Sequence, residues 1–283
     1  MNAKKITIVT DSSASLPHQI RKDLNICVIP LWLIWDNESF RDGIDIQPRD
    51  FYQRLKKSSS LPTSTQPSVE EFKEFFQDCA RDSDAIVSVL ASSRISGTVD
   101  SACAAKEYFS DLPICVIDSR FSAMGQGLIA IAAARAAVEG KTVKEVVDTA
   151  EKMRENTNLL FVVDTLEYLH KGGRIGGAKR LLGTALNIKP ILHFDQGLIE
   201  PLSQTRTKKK AVGEMLDIAR ERLGGKKMAE AAIVHVDCFE EGESLVDLVR
   251  DQFNPANIFI SDVSPVVGTH VGPGGLGLAF YPD

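Results

Sequence analysis

Five glycines surround one histidine near the C-terminus, in the run VGTHVGPGGLGLAF from Val267 to Phe280. Glycine permits positive φ and close backbone approach. The cluster around His270 therefore suits backbone wrapped about something polar: a phosphate, a carboxylate or another strand. Four hydroxyl-rich turns could serve the same chemistry: TDSSAS (10–15), PTSTQPS (62–68), SSRISGT (92–98) and DSRFSAMGQG (118–127). Ser and Thr ahead of a helix are ordinary N-caps. Four such turns converging on one sheet edge would also bring helix N-termini, with free N–H groups and a positive dipole end, to one crevice that suits an anion.

Other residue types point elsewhere. Asp11 follows a strand-like run, as a phosphatase-type nucleophile would, but no second acid stands two residues on. His235, Asp237 and Cys238 form a possible metal fragment; on a strand they alternate faces, which favours packing. No HExxH or paired-cysteine set occurs, so no metal is expected. There is no GxxxxGK[ST], and no GxGxxG follows the first strand, so no nucleotide phosphate loop is expected. Gly172 and Gly173 would end one helix by glycine C-capping. That leaves Arg174 on a short loop before AKRLLGTAL (178–186) restarts a helix, and Arg174 reads as a held loop arginine or a solvated one. The tract TRTKKK (205–210) puts cations into a first helical turn, against the macrodipole, at about 0.3–1 kcal/mol each when exposed. It reads as a solvated turn or as a patch for phosphate or an acidic partner.

The elements that must position these groups follow from hydrophobic periodicity. ITIVT (6–10), ICVIPLWLIW (26–35), AIVSVLA (85–91) and ICVID (114–118) read as strands, the last two of the fully buried type. DNESFRDG reads as a hairpin or loop. Helices are expected over SLPHQIRKDL, QPRDFYQRL, PSVEEFKEFFQDC and TVKEVVDTAEKM, and from near Ser96 and Phe121; Ser68 and Glu71 form a capping box. This β-α-β-α rhythm implies a parallel sheet covered on both faces. Beyond about residue 155 the strand-like runs pair, 187–194 with 197–205. A helix (208–223), strand (231–237), helix (242–252) and strand (257–262) follow. We therefore expect two α/β domains, 1–155 with a parallel sheet and 156–283 with a mixed sheet.

Composition narrows the class. The 283 residues are 43% hydrophobic and 25% charged, as in globular proteins, and the net charge of −5 argues against a nucleic-acid binder. Five scattered cysteines without a CxxC fit thiols in a reducing cytoplasm. The N-terminus runs straight into a strand without a signal-peptide pattern, and the longest apolar run, LIAIAAA at 128–134, is too short to span a bilayer. A cytoplasmic location with only transient membrane-surface contact is expected.

Taken in order, IVTDSSASLP, TSTQPS, SSRISGT, VIDSRFSAMGQG, LEYLHKGGRI, NIKPIL, RTKKKA and GTHVGPGGLGLAF make the sequence similar to the DegV family of fatty-acid-binding proteins, nearly end to end. That family includes the lipid-carrying subunit of bacterial fatty acid kinase. The resemblance implies two α/β domains with a long-chain fatty acid in a tunnel between them. It implies that the carboxylate meets Ser64, Ser93 and His270, with Thr63, Thr65, Ser92, Thr269 and Gly272 in support. The family's TSQPS order becomes TSTQPS here, so Ser64, Thr63 or Thr65 would supply one hydroxyl. Arg174 and Arg206 would face an ATP-dependent kinase subunit that converts the carboxylate to acyl phosphate for phospholipid metabolism. The chain itself would be a carrier without cofactor or ATP site. Two rival readings remain at this level: a stand-alone enzyme using Asp11 or His270 on a small phosphate or carboxylate, and a lipid sensor without a kinase.

Overall fold

The structure is a computed structural model that describes residues 5–183 and 188–283. Its first part contains β1 (Ile6–Asp11), α1 (His18–Asp23), β2 (Cys27–Ile29), β3 (Trp32–Trp35), β4 (Glu38–Arg41), α2 (Pro48–Lys57) and β5 (Thr63–Thr65). It continues through α3 (Val69–Ala80), β6 (Ala85–Leu90), α4 (Thr98–Lys106), β7 (Ile114–Asp118), α5 (Ala123–Val138) and α6 (Val143–Asn156). The second part contains β8 (Asn158–Val162), α7 (Glu167–Lys171), β9 (Lys189–Asp195), β10 (Leu198–Thr205), α8 (Lys208–Leu223), β11 (Met228–His235), α9 (Phe239–Phe253), β12 (Asn257–Asp262), α10 (Pro265–Val271) and β13 (Leu276–Pro282).

The fold is α/β, with a parallel sheet β2-β1-β6-β7 in the N-terminal part and a mixed sheet β10-β9-β8-β13-β11-β12 in the C-terminal part. β6 is buried at every residue, as a run apolar but for Ser88 requires. Between the two sheets runs α5, which touches β1 and β6 on one side and β8, β11 and β13 on the other. Its sequence, AMGQGLIAIAAARAAV, is apolar on nearly all sides. A helix with no polar stripe has no face to give to water, and its small residues let both sheets approach. The expected capping box on α3 is present, with the Ser68 hydroxyl accepting from the Glu71 N–H and the Glu71 carboxylate accepting from the Ser68 N–H.

Three expectations are corrected. The run 26–35 is two strands in two sheets: β2 pairs with β1, whereas β3 joins β4 and β5 in a small antiparallel sheet. Pro30 has no N–H for a ladder, and the Leu31 N–H leaves the sheet to donate to Ser12 Oγ at 3.0 Å. The DNESFRDG run makes a β3–β4 hairpin, one of the two forms expected of it, with Asp36 and Asn37 at φ 51° and 65°, the twist that hairpins of this hand favour. Within TSTQPS, residues 63–65 form a strand, with Ser64 opposite Leu33. The helix expected over 178–186 is a short 3-10 segment, Gly176–Leu181, in the part described; its end, like the start of the strand expected at 187, lies outside the described residues.

Candidate functional site

His270 sits in the last turn of α10, which needs tertiary help to form. It has only seven residues, including Gly268. Pro265 at its first position is preset for a helix, and Ser264 Oγ accepts from the Val267 N–H at 3.4 Å. The Tyr52 hydroxyl donates to Val263 O at 2.8 Å, and its phenol end lies against Gly268, where a Cβ would stand 2.3 Å from the phenol oxygen. Gly272 follows at φ 78°, ψ 162°, a conformation open essentially to glycine, with Tyr168 filling the space a side chain would need. These glycines fit backbone to the two tyrosines, which corrects the reading of Gly272 as part of a backbone cradle for an anion.

The helix brings His270 Nε2 within 2.7 Å of Ser64 Oγ on β5, across 206 residues of sequence. The ring's other nitrogen, Nδ1, is buried without a hydrogen-bond partner and lies against Gly172. Arg174 is fixed beside it: Nε donates to Ile95 O at 3.1 Å and Nη1 to Gly172 O at 2.8 Å. Burial, and secondarily the Arg174 charge, hold the His270 imidazole down at about 4, so it is neutral at pH 7. A neutral imidazole, a hydroxyl and a guanidinium make a receptor for one anionic oxygen pair, with charge-assisted bonds.

Ser64, Thr65, Gln66, Ser96, Arg174 and His270 line a cavity of about 900 Å³, counting the part open to solvent. Most of its remaining wall is apolar, including Leu159, Phe161, Phe194, Ile199 and Val234 of the mixed sheet, with Leu31, Ala91 and Ala123 from the connections of the N-terminal part. Ser13 and Ser122 interrupt that apolar wall.

The other expected residues lie elsewhere. Ser93 is exposed and outside the cavity wall, its hydroxyl donating to Asp118 Oδ2 at 2.5 Å. Ser92 is buried and donates to Gly197 O at 2.8 Å. Within SSRISGT, the hydroxyl at the cavity belongs to Ser96, which the sequence offered in the same tract but which only the turn's geometry singles out. Thr63 is exposed, and Thr269 turns back to Pro265 O in its own helix. Arg206 is exposed between β10 and α8, outside the cavity wall.

Asp11 is fully buried and accepts from the Ser13 N–H and hydroxyl, the Ala91 N–H and the Gln126 amide, all at 2.5–2.9 Å. Burial raises its pKa despite those donors. It ties β1, β6 and α5 together and has no room to act as a nucleophile. His235 is 2% exposed on β11, 3.6 Å from Asp262, and the Cys238 thiol turns to Gly275 O. Among the described residues no cluster of His, Cys, Asp and Glu could hold a metal ion, and no helix is long and apolar enough to cross a membrane.

Fold and site together define an α/β protein with a largely apolar cavity, polar at one end, between its mixed sheet and the connections of its N-terminal part. The family described as "Uncharacterised protein, DegV family" matches residues 5–283. A DegV domain-containing protein of Halalkalibacterium halodurans is 36% identical over 278 residues, 98% of each chain. Among solved structures, a fatty-acid-binding DegV family protein from Thermus thermophilus superposes with a TM-score of 0.93 at 31% identity, covering 99% of this chain and 100% of that one. DegV from Bacillus subtilis, described as a fatty acid binding protein, gives 0.91 at 32% identity over the same shares. This chain belongs to the DegV family.

Proposed function

We propose that the protein binds a long-chain fatty acid in the cavity, with its carboxylate at the Ser64–His270 end. The carrying observation is the 2.7 Å Ser64–His270 pair at the polar end of an otherwise largely apolar cavity. Apolar transfer supplies affinity at about 0.8 kcal/mol per CH₂. An unpaired carboxylate would cancel much of that gain, so donors must meet it. Ser64, Ser96, Arg174 and a proton on His270 supply them. The fatty acid binding of the Thermus and Bacillus relatives supports the same reading. A cytoplasmic carrier divided near residue 155 would present the carboxylate to an ATP-dependent kinase subunit, which forms the acyl phosphate; Arg206 and the exposed part of the 205–210 tract would face that partner. Displacement of a fluorescent fatty acid by palmitate tests the site. Ser64→Ala and His270→Gln should each weaken palmitate about tenfold, the value of a lost bond to a charged group. Unchanged affinity in both would remove the carboxylate from this end.

A further inference from the structure

The long helix α5 begins at the cavity wall with its first polar groups unclaimed. Ser122 and Ala123 both line the cavity, and they are only 7% and 5% exposed. Ser122 occupies the N-cap position, yet its side chain makes no capping bond and its hydroxyl has no other partner among the described residues. Among the described residues no acceptor outside the helix takes the N–H of Ala123, Met124 or Gly125; the first closing bond is Gln126 N to Ser122 O at 3.5 Å. The first N–H groups of any helix lack intrahelical partners, and the Ser122 hydroxyl in the cavity wall is unpaired as well. Several unpaired donors at one point of a ligand cavity call for an acceptor brought by the ligand.

This group lies on α5, beside the turn that carries Ser96, because the Ser92 N–H donates to Phe121 O at 2.8 Å; Ser64, His270 and Arg174 stand on other elements, β5, α10 and the loop after α7. Ser13, the other hydroxyl in the wall, is already committed to Asp11 and Gln126, so it adds no free donor. Among the described residues, no Lys, Arg or His lines the cavity except Arg174 and His270. The donors at the start of α5 are themselves neutral, so they suit a neutral oxygen rather than a second full negative charge. A neutral oxygen fits: it accepts from the Ser122 hydroxyl or the free N–H groups, and a hydroxyl can also donate to Ser122 Oγ.

We infer that the cavity accommodates an acyl chain bearing a neutral oxygen, a hydroxyl or keto substituent, whose oxygen docks on Ser122 and the start of α5. The inference rests on the reading of the cavity as a fatty-acid site. The test is competitive displacement of a fluorescent fatty acid by stearate and by a series of hydroxystearate and ketostearate positional isomers, on the wild type and on Ser122→Ala. At least one isomer should bind the wild type as tightly as stearate does. The substitution should then weaken that isomer about 5- to 10-fold more than it weakens stearate, the effect of one neutral hydrogen bond. The Ser122 side chain holds no structural bond, so the thermal midpoint should not move, which separates the effect from misfolding. If stearate binds but every oxygenated isomer is weaker and none depends on Ser122, the inference is overturned while the fatty-acid reading stands. If stearate fails to bind as well, the fatty-acid reading falls and takes the inference with it.

Discussion

Gly172→Ala isolates the geometry of the His270 ring. Gly172 has helical angles, φ −76° and ψ −6°, so alanine strains no backbone there. The added methyl would stand 2.2 Å from His270 Nδ1 and 3.0 Å from Tyr168 O, whereas ordinary contact begins near 3.4 Å. The backbone oxygen cannot give way easily, so the ring must move by more than an ångström. A shift of that size from a 2.7 Å bond breaks the Ser64–His270 pair or compresses it beyond contact. Overpacking of this kind costs about 1–3 kcal/mol, partly offset by alanine's better helix propensity, up to about 1 kcal/mol. Fatty acid affinity should fall about 5- to 30-fold, with only a few degrees lost from the thermal midpoint. Gly173→Ala is the control: that residue has φ +71° but nothing within 4 Å of an added methyl. It should lose stability by about 1 kcal/mol through backbone strain and keep its affinity. The assay is displacement of a fluorescent fatty acid by palmitate, run beside thermal melts. Equal affinity in Gly172→Ala and wild type would refute the claim that His270 must lie where Gly172 allows it.

Other outcomes follow from the same site. Ser93→Ala should keep palmitate affinity within about twofold and cost about 1 kcal/mol of stability, because its hydroxyl serves Asp118; a large affinity loss would return Ser93 to the site. In the ligand-free protein, NMR should find His270 neutral down to about pH 4, and a bound carboxylate should raise that midpoint; an unmoved midpoint would separate ring and ligand. Because the folded-state value lies below the unfolded one near 6.5, His270 contributes stability above pH 6.5 that is lost as pH falls to about 4, on the order of 3 kcal/mol. Asp42 slopes the opposite way: burial lifts it to about 6, so its contribution is complete below 3.8 and lost as pH rises through 6. The difference between wild type and His270→Gln across pH 4–7 therefore reads His270, and parallel curves would contradict its buried neutral state. Arg206→Glu should leave palmitate binding intact and abolish acyl phosphate formation in a reconstituted kinase assay; full activity would assign that arginine to solvent.

The sheet framework was legible because buried parallel strands such as 85–90 carry runs that are apolar at all but one residue, and because Ser68–Glu71 announces a helix start by its spacing. The small sheet was not. Thr63–Thr65 has no strand pattern of its own and exists because Leu33 and its neighbours offer a ladder thirty residues upstream. The helix bearing His270 was hidden for a related reason: its glycines lower helix propensity, and Tyr52 and Tyr168, distant in sequence, fill the space they leave. Motif reading located the SSRISGT tract but chose Ser93, since the sequence does not say which hydroxyls the turn spends on Gly197 and Asp118 and which it leaves facing the cavity.

The most direct test is mass spectrometry of lipids extracted from the purified, denatured protein, after incubation with a mixture of fatty acids. The account predicts close to one long-chain fatty acid per chain, lost in parallel by Ser64→Ala and His270→Gln. Protein that carries no fatty acid under those conditions would contradict it.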